Sequence, residues 1–170
     1  GRKPNNVLVL SASYTDRGGP NIKALTGSST ILLRSNTISF TGNEKVNGFT
    51  PFKFNDMNIL LFPGTEGWFA LETIDLTSVG SVSLGAGWQA PHKKSIEMEL
   101  RLDGPEGPVI GKGNLAPPAK GQQAGVIVIP VQAVADGKLH TLYFRYVSKE
   151  TMQAGIMSVS FNAGNKLAKK

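Results

Sequence analysis

Trp88 is the residue of this chain best placed to do chemistry. It stands in the run Gly85-Ala86-Gly87-Trp88-Gln89-Ala90-Pro91-His92, where glycines let a backbone approach and polar groups flank an indole. An indole offers a flat apolar face to the C–H face of a sugar ring, while amides and an imidazole nearby take its hydroxyls. Trp88, Gln89 and His92 are therefore candidate ligand-binding residues, with Gln153 as a further hydrogen-bonding side chain. Tyr14, at the head of Tyr14-Thr15-Asp16-Arg17-Gly18-Gly19, is a second candidate platform or an anchor for its own loop. Trp68 follows Gly67 and opens an alternating segment, so it reads as core. Tyr143 and Tyr146 are three positions apart and face opposite sides of a strand, which puts one in the core and the other on the surface.

Nothing in the sequence assembles a catalytic site. The two histidines are His92 and His140, and His140 begins a strand after a turn, a surface position. No Gly-x-Ser-x-Gly elbow, HExxH, EF-hand loop or P-loop occurs. Glycoside hydrolysis needs two carboxyls about 5–9.5 Å apart across a cleft. Here Glu97 and Glu99 share one strand face, and Asp103 and Glu106 share a turn. The chain has no cysteine, which removes thiolate metal sites, cysteine nucleophiles and disulfides. We expect no catalytic residues and no enzyme.

The elements that must hold these residues are strands. Residues 81–84 and 95–102 alternate polar and apolar strictly, and 7–13, 30–34, 37–40, 58–62, 68–74, 108–110, 125–129, 139–147 and 156–161 are β-rich. A period of two with polar partners means one buried and one wet face. Asp103-Gly104-Pro105, Gly107-Pro108, Pro117-Pro118 and Asp136-Gly137 punctuate them as turns. No amphipathic run reaches ten residues, and only 130–136 has the makings of a helical turn. The expectation is an all-β fold: an antiparallel β-sandwich of jelly-roll topology. Residues 41–58 show no clear period, although Phe49, Phe52 and Phe54 argue that part of this stretch packs on the core.

Antiparallel strands alternate direction, so their connections alternate between the two ends of the sandwich. Counted from Ser81, the loops 63–67, 87–94, 113–123 and 148–154 gather at one end and the tight turns at the other. The loop end would then collect Glu66, Trp88, His92, Lys93, Lys94, Lys120, Gln122, Gln123, Lys149, Glu150, Met152 and Gln153. Binding loops gathered at one end of a rigid scaffold are a common use of such a fold.

With 170 residues the chain fits one domain that needs no staple. Its 40% apolar and 18% charged residues exclude a disordered chain. The net charge of +6 sits partly at the ends, at Arg2, Lys3, Lys166, Lys169 and Lys170. No basic cluster of five to eight residues appears, so the basic balance reads as a solvated surface and not as a nucleic-acid interface. No apolar stretch approaches the length of a membrane span. The opening Gly-Arg-Lys-Pro-Asn-Asn lacks the apolar region of a signal peptide, and Gly1 in place of Met suggests a trimmed chain from which native targeting information is expected to be missing.

Several motifs carry a resemblance. They are Tyr14-Thr15-Asp16-Arg17-Gly18-Gly19, Leu25-Thr26-Gly27, Ile74-Asp75-Leu76-Thr77-Ser78-Val79, Glu99 through Gly111, and Asp136-Gly137-Lys138-Leu139-His140-Thr141-Leu142-Tyr143-Phe144 with the closing strand. Together they resemble the family 6 carbohydrate-binding module. More narrowly, they resemble the version at the C-terminal end of large secreted bacterial proteins with sugar-dehydrogenase-like propellers, cytochrome c domains or ThuA-like domains. The resemblance implies a galactose-binding-like jelly roll that binds a polysaccharide or oligosaccharide without cleaving it, through aromatics in loops at one end, with Trp88 in the loop that carries one stacking aromatic. It also implies a secreted or periplasmic location and other domains of a larger parent as partners. A structural calcium is common in the family, but its acidic ligands are not matched. Ser11 and Ser13 stand in the first strand, Ser158 and Ser160 in the last, and Asn162 comes later than the family's ligand-binding Asn.

We therefore expect residues 1–6 to be a disordered leading segment, 7–162 a single sandwich, and 163–170 a flexible basic tail. The leading function is a non-catalytic module that anchors a larger protein to a polysaccharide. The alternative is a structural sandwich that has lost sugar binding and docks on a neighbouring catalytic domain. A glycan-cleaving enzyme ranks last, for want of a carboxylate pair.

Overall fold

The computed structural model describes residues 7–134, 136–148 and 152–164. The expectations for residues 1–6, for the tail beyond Gly164, and for Lys149 and Glu150 fall outside them. All described regular structure is strand: β1 (Val7–Thr15), β2 (Thr26–Arg34), β3 (Thr37–Ser39), β4 (Lys45–Asn47), β5 (Thr50–Phe54), β6 (Met57–Leu61), β7 (Gly67–Asp75), β8 (Val79–Trp88), β9 (Ile96–Leu102), β10 (Val109–Leu115), β11 (Ala124–Pro130), β12 (Leu139–Tyr146) and β13 (Ala154–Ala163). No helix long and apolar enough to cross a membrane occurs among the described residues. The helical turn expected around 130–136 is not formed: Val131 bridges Gly111, and Gln132 donates its backbone N–H to the Ile110 carbonyl at 2.8 Å.

The chain divides into two units, one ending at Asn36 and one beginning at Thr37. The first is a hairpin in which β1 pairs only with β2, from Val7↔Arg34 to Thr15↔Thr26. One of its faces carries hydroxyl ladders, Ser11 to Thr30 at 3.1 Å and Thr15 to Thr26 at 2.8 Å. Asp16 closes its loop by accepting from the N–H groups of Gly18 and Leu25. The sheets of the sandwich start at Thr37, not at Val7, because alternation makes a strand without saying which sheet it joins.

The second unit is an antiparallel sandwich. One sheet runs β10-β9-β12-β7-β4, and the other runs β11-β8-β13-β6-β5 with β3 on β13. Strict alternation places every second residue inward. β8 buries Val82, Leu84, Ala86 and Trp88, β9 buries Ile96, Met98 and Leu100, and β12 buries Leu142, Phe144 and Tyr146. An aromatic seam fills the middle, with Phe69 stacked on Phe144 at 4.6 Å and Phe49 edge-on to Phe69 at 5.3 Å.

The patternless stretch 41–58 proves to hold β4 and β5, which are too short and too interrupted by Gly48 and Pro51 to show a period. Phe49 joins the core as expected, whereas Phe52 and Phe54 point outward. His140, expected on the surface, is only 6% exposed. It sits between two carboxylates, with Nδ1 2.9 Å from Asp103 and Nε2 3.1 Å from Asp136.

Candidate functional site

The expected gathering of loops at one end is realised in backbone hydrogen bonds. Trp88 donates to the Gln123 carbonyl at 3.0 Å, Gln89 to Gln153 at 2.9 Å, and Phe62 to Ala154 at 3.0 Å. Trp88, Gln89, His92 and Gln153 thus share one end of the sandwich. Their exposure divides them. Gln89 and Gln153 are exposed, while Trp88 is 6% and His92 4% exposed.

A stacking platform needs a free ring face, and Trp88 has none to offer. It is the last inward position of β8, and its indole N–H donates to the Gln122 carbonyl at 2.7 Å. Its ring tip reaches within 3.1 Å of where a side chain would begin on Gly125, so that glycine is the notch receiving it. His92 lies edge-on to the indole at 5.2 Å, with Nδ1 2.7 Å from the Lys94 carbonyl. Both residues close the core beneath the loops, a correction to their expected role as ligand contacts. Tyr14 is 74% exposed, on the hairpin unit.

The accessible aromatic pair lies on the outer face of the five-stranded sheet. Phe69 and Leu71 of β7 point into the core, so Trp68 and Ala70 point out. On β12, Leu142 and Phe144 point in and Tyr143 out. Trp68 is therefore not the core residue expected. Both rings are half-buried and meet edge to face at 5.1 Å. Ala70, directly opposite Tyr143 and two positions from Trp68, is a buried methyl floor under the pair. A larger residue there would displace the rings.

Polar groups surround the pair in register. Asn47, Trp68, Arg145, Glu99 and Lys112 lie opposite one another across all five strands. Arg145 is held flat by Glu66 and Glu106, each at 3.0 Å. Glu99 takes Lys112 at 2.7 Å and Arg101 at 2.6 Å. A depression of about 300 Å³ beside this row is lined by Glu97, Glu99, Lys112, Asn114 and Val147. That is the small end of ligand-pocket sizes. The Lys112 hydrogen bond, with Arg101 adding to it, holds the Glu99 carboxyl below its ordinary range. A glycosidase acid needs the opposite shift, so Glu99 is built to accept hydrogen bonds and not to give a proton.

The signal for this site was present in the alternation itself. Trp68 is out of phase with Phe69 and Leu71, and Tyr143 with Leu142 and Phe144, so both had to face away from the core. The positions at which the resemblance would place calcium ligands carry serines instead. Ser11 and Ser13 belong to the hairpin, and Ser160 spends its hydroxyl on Thr37 at 2.9 Å. Calcium takes six to eight oxygens with carboxylates among them; these hydroxyls do not fit it.

No protein-family model and no curated protein matches the chain. Solved structures do match in fold. A family 6 carbohydrate-binding module from Clostridium cellulolyticum, solved in complex with xylose, shares 15% identity over 75% of this chain and 97% of its own, with a TM-score of 0.62. A β-1,3-glucan-binding family 6 module from Bacillus halodurans shares 16% over 76% and 96%, with a TM-score of 0.61. A third, from Clostridium stercorarium in complex with cellobiose, shares 12% over 77% and 97%, with a TM-score of 0.59. The chain therefore has the β-sandwich fold of these modules.

Proposed function

We propose that the sandwich binds saccharides without cleaving them, on the outer face of its five-stranded sheet, and so tethers a larger secreted or periplasmic protein to a polysaccharide. The observation that carries this reading is the Trp68–Tyr143 pair, half-buried with ring centroids 5.1 Å apart and bracketed by Asn47, Arg145 and Glu99 in one cross-strand row. Aromatic rings take the C–H face of a sugar, and planar amide, guanidinium and carboxylate groups take its hydroxyls pairwise. The fold likeness to modules solved with xylose and cellobiose supports the same class of ligand. Gln89 and Gln153, exposed at the loop end, are proposed as a secondary polar contact.

A second reading rests on the burial of Trp88 and His92. In it, sugar binding at the loop end has been lost and the sandwich docks on another domain of its parent. Native gels of the full chain cast with soluble xylan, β-1,3-glucan or cellulose derivatives separate the two. Retardation by at least one glycan, abolished in Trp68→Ala and kept in Gln89→Ala, supports the platform. Migration indifferent to every glycan favours docking, and retardation that survives Trp68→Ala refutes the platform.

A further inference from the structure

Charge is distributed unevenly along the chain. Residues 37–164, which make the sandwich, hold 10 Lys and Arg against 11 Asp and Glu. Residues 1–36 hold five basic side chains and a single acid, Asp16. The basic excess therefore lies outside the sandwich. Exposure is uneven too. Tyr14, Ile22 and Leu25 are 74%, 69% and 68% exposed, more than any other large hydrophobic residue described. All three stand at the tip of the β1–β2 hairpin, and the exposed side chains of Arg17 and Lys23 stand between them in the chain.

The tip is a built loop. Asp16 Oδ1 accepts the N–H groups of Gly18 at 2.9 Å and Leu25 at 3.0 Å. The Asp16 N–H donates to the Leu25 carbonyl at 3.0 Å, and Gly19 and Ile22 exchange backbone bonds at 3.0 and 3.1 Å. Gly18 makes the bend at a φ of 63°, where a Cβ would stand 2.5 Å from the Ile22 carbonyl oxygen. These bonds turn the loop's one carboxylate inward. What remains outward is two cations and three apolar side chains. Tyr14 stands opposite Gly27, so no side chain directly across the ribbon covers its ring.

We propose that this tip is a peripheral membrane contact, with Tyr14, Ile22 and Leu25 entering the headgroup boundary of an anionic bilayer and Arg17 and Lys23 meeting its phosphates. The side-chain chemistry selects the occupant. Ile22 and Leu25 gain by leaving water and offer nothing to the hydroxyls of a hydrophilic polymer. A tyrosine, apolar in body and polar at its tip, suits the boundary itself. Exposed Arg and Lys are drawn to an anionic leaflet, whereas a neutral protein groove would leave both unmatched. A single weak signal gives only marginal, reversible binding at a membrane, and this tip combines two, an apolar one and a basic one. The contact needs no spanning segment and does not depend on the sheet platform.

Co-sedimentation of the full chain with vesicles tests this, using phosphatidylcholine alone and phosphatidylcholine mixed with phosphatidylglycerol. The chain should pellet with the mixed vesicles, far less with phosphatidylcholine alone, and should be partly released by high salt. Arg17→Gln and Lys23→Gln should each weaken binding roughly fivefold. Ile22→Ser combined with Leu25→Ser should weaken it at least about tenfold. Lys120→Gln, in the sandwich, should change nothing, and all these variants should keep the wild-type melting curve. Tyr14→Trp should add a blue shift of emission on mixed vesicles that the wild type does not show. A chain that pellets with neither vesicle overturns the proposal, as does pelleting that survives both the charge and the apolar substitutions. If only the charge substitutions matter, or if the chain ignores vesicles and is retarded by an acidic polysaccharide, the occupant is a polyanion and the membrane contact is refuted. Ile22→Ser with Leu25→Ser leaves retardation by neutral glycans as it is, so failure of the sugar platform and failure of the membrane contact are read separately.

Discussion

Trp88 donates its indole N–H to the backbone carbonyl of Gln122, 34 residues away in the chain, at 2.7 Å. That bond pulls the 116–123 loop across the ring, while Gly125 opens the notch that receives its tip. The two tryptophans of the chain therefore have opposite duties, one capping the core and the other facing solvent from a sheet.

Stability separates them first. Trp88→Ala empties a buried site and orphans a carbonyl, and should cost about 3–5 kcal/mol in urea unfolding, the usual range for a buried tryptophan. Trp68→Ala removes a half-buried ring from the sheet surface and should cost about 1 kcal/mol, the scale of one aromatic pair. Equal losses for the two variants would contradict the division.

Fluorescence separates them again. If the sheet platform binds a glycan, the change in tryptophan emission on titration comes from Trp68, because Trp88 is out of reach. Trp68→Phe should abolish the response and Trp88→Phe should keep it. A response that follows Trp88 would relocate the site to the loop end.

The His140 cluster predicts a pH dependence whose sign is fixed. The hydrogen bond that His140 donates to Asp103, then the one it donates to Asp136, raises the His140 pKa above its ordinary value. The bond to His140 in turn lowers that of Asp103. A raised histidine contributes stability that is complete below its unfolded value of about 6.5 and disappears as pH rises through the folded value. A lowered aspartate contributes stability above about pH 3.9 that is lost as pH falls. The cluster is therefore strongest between about pH 4 and 6.5. Melting temperature should fall by about 2–4 °C as pH is raised past the histidine's folded value, the shift expected for about 1 kcal/mol in a domain of this size. His140→Gln should flatten that part of the profile, and an unchanged slope in this variant would disprove the assignment.

Where β10 and β11 approach at the margin of the two sheets, no side chain fits. A Cβ on Gly113 would stand 2.4 Å from the Val128 carbonyl oxygen and 2.8 Å from Ile129. Gly113→Ala must push two backbones apart and should cost about 1–3 kcal/mol. Gly104→Ala, whose Cβ meets nothing closer than 3.6 Å, is the control and should be near neutral. Similar melting curves for the two would mean that this margin is looser than its distances imply.

Much of the fold was legible because alternation is local. The strict pattern at 95–102 became β9 (Ile96–Leu102), and the run at 139–147 became β12 (Leu139–Tyr146). Counting strand directions was enough to put loops 87–94 and 148–154 at one end, where Gln89 donates its backbone N–H to the Gln153 carbonyl. The short strands β4 and β5 escaped, because three to five residues broken by Gly48 and Pro51 are too few to show a period. Phe52 and Phe54 misled for a related reason: an aromatic residue announces apolar area and not the side of the sheet on which it will stand.

The sequence by itself determined that this is an all-β chain, where its long alternating strands lie, and which loops share an end. All of these follow from a two-residue repeat and from turn residues acting on their neighbours. Only the tertiary structure decided that the hairpin pairs with itself, that Trp88 is sealed by Gln122 and Gly125, and that Asn47, Trp68, Arg145 and Glu99 fall into one row. Each of those depends on which strands become neighbours. Neighbours are chosen by burying the apolar faces of distant segments together, an interaction that no local stretch of sequence contains.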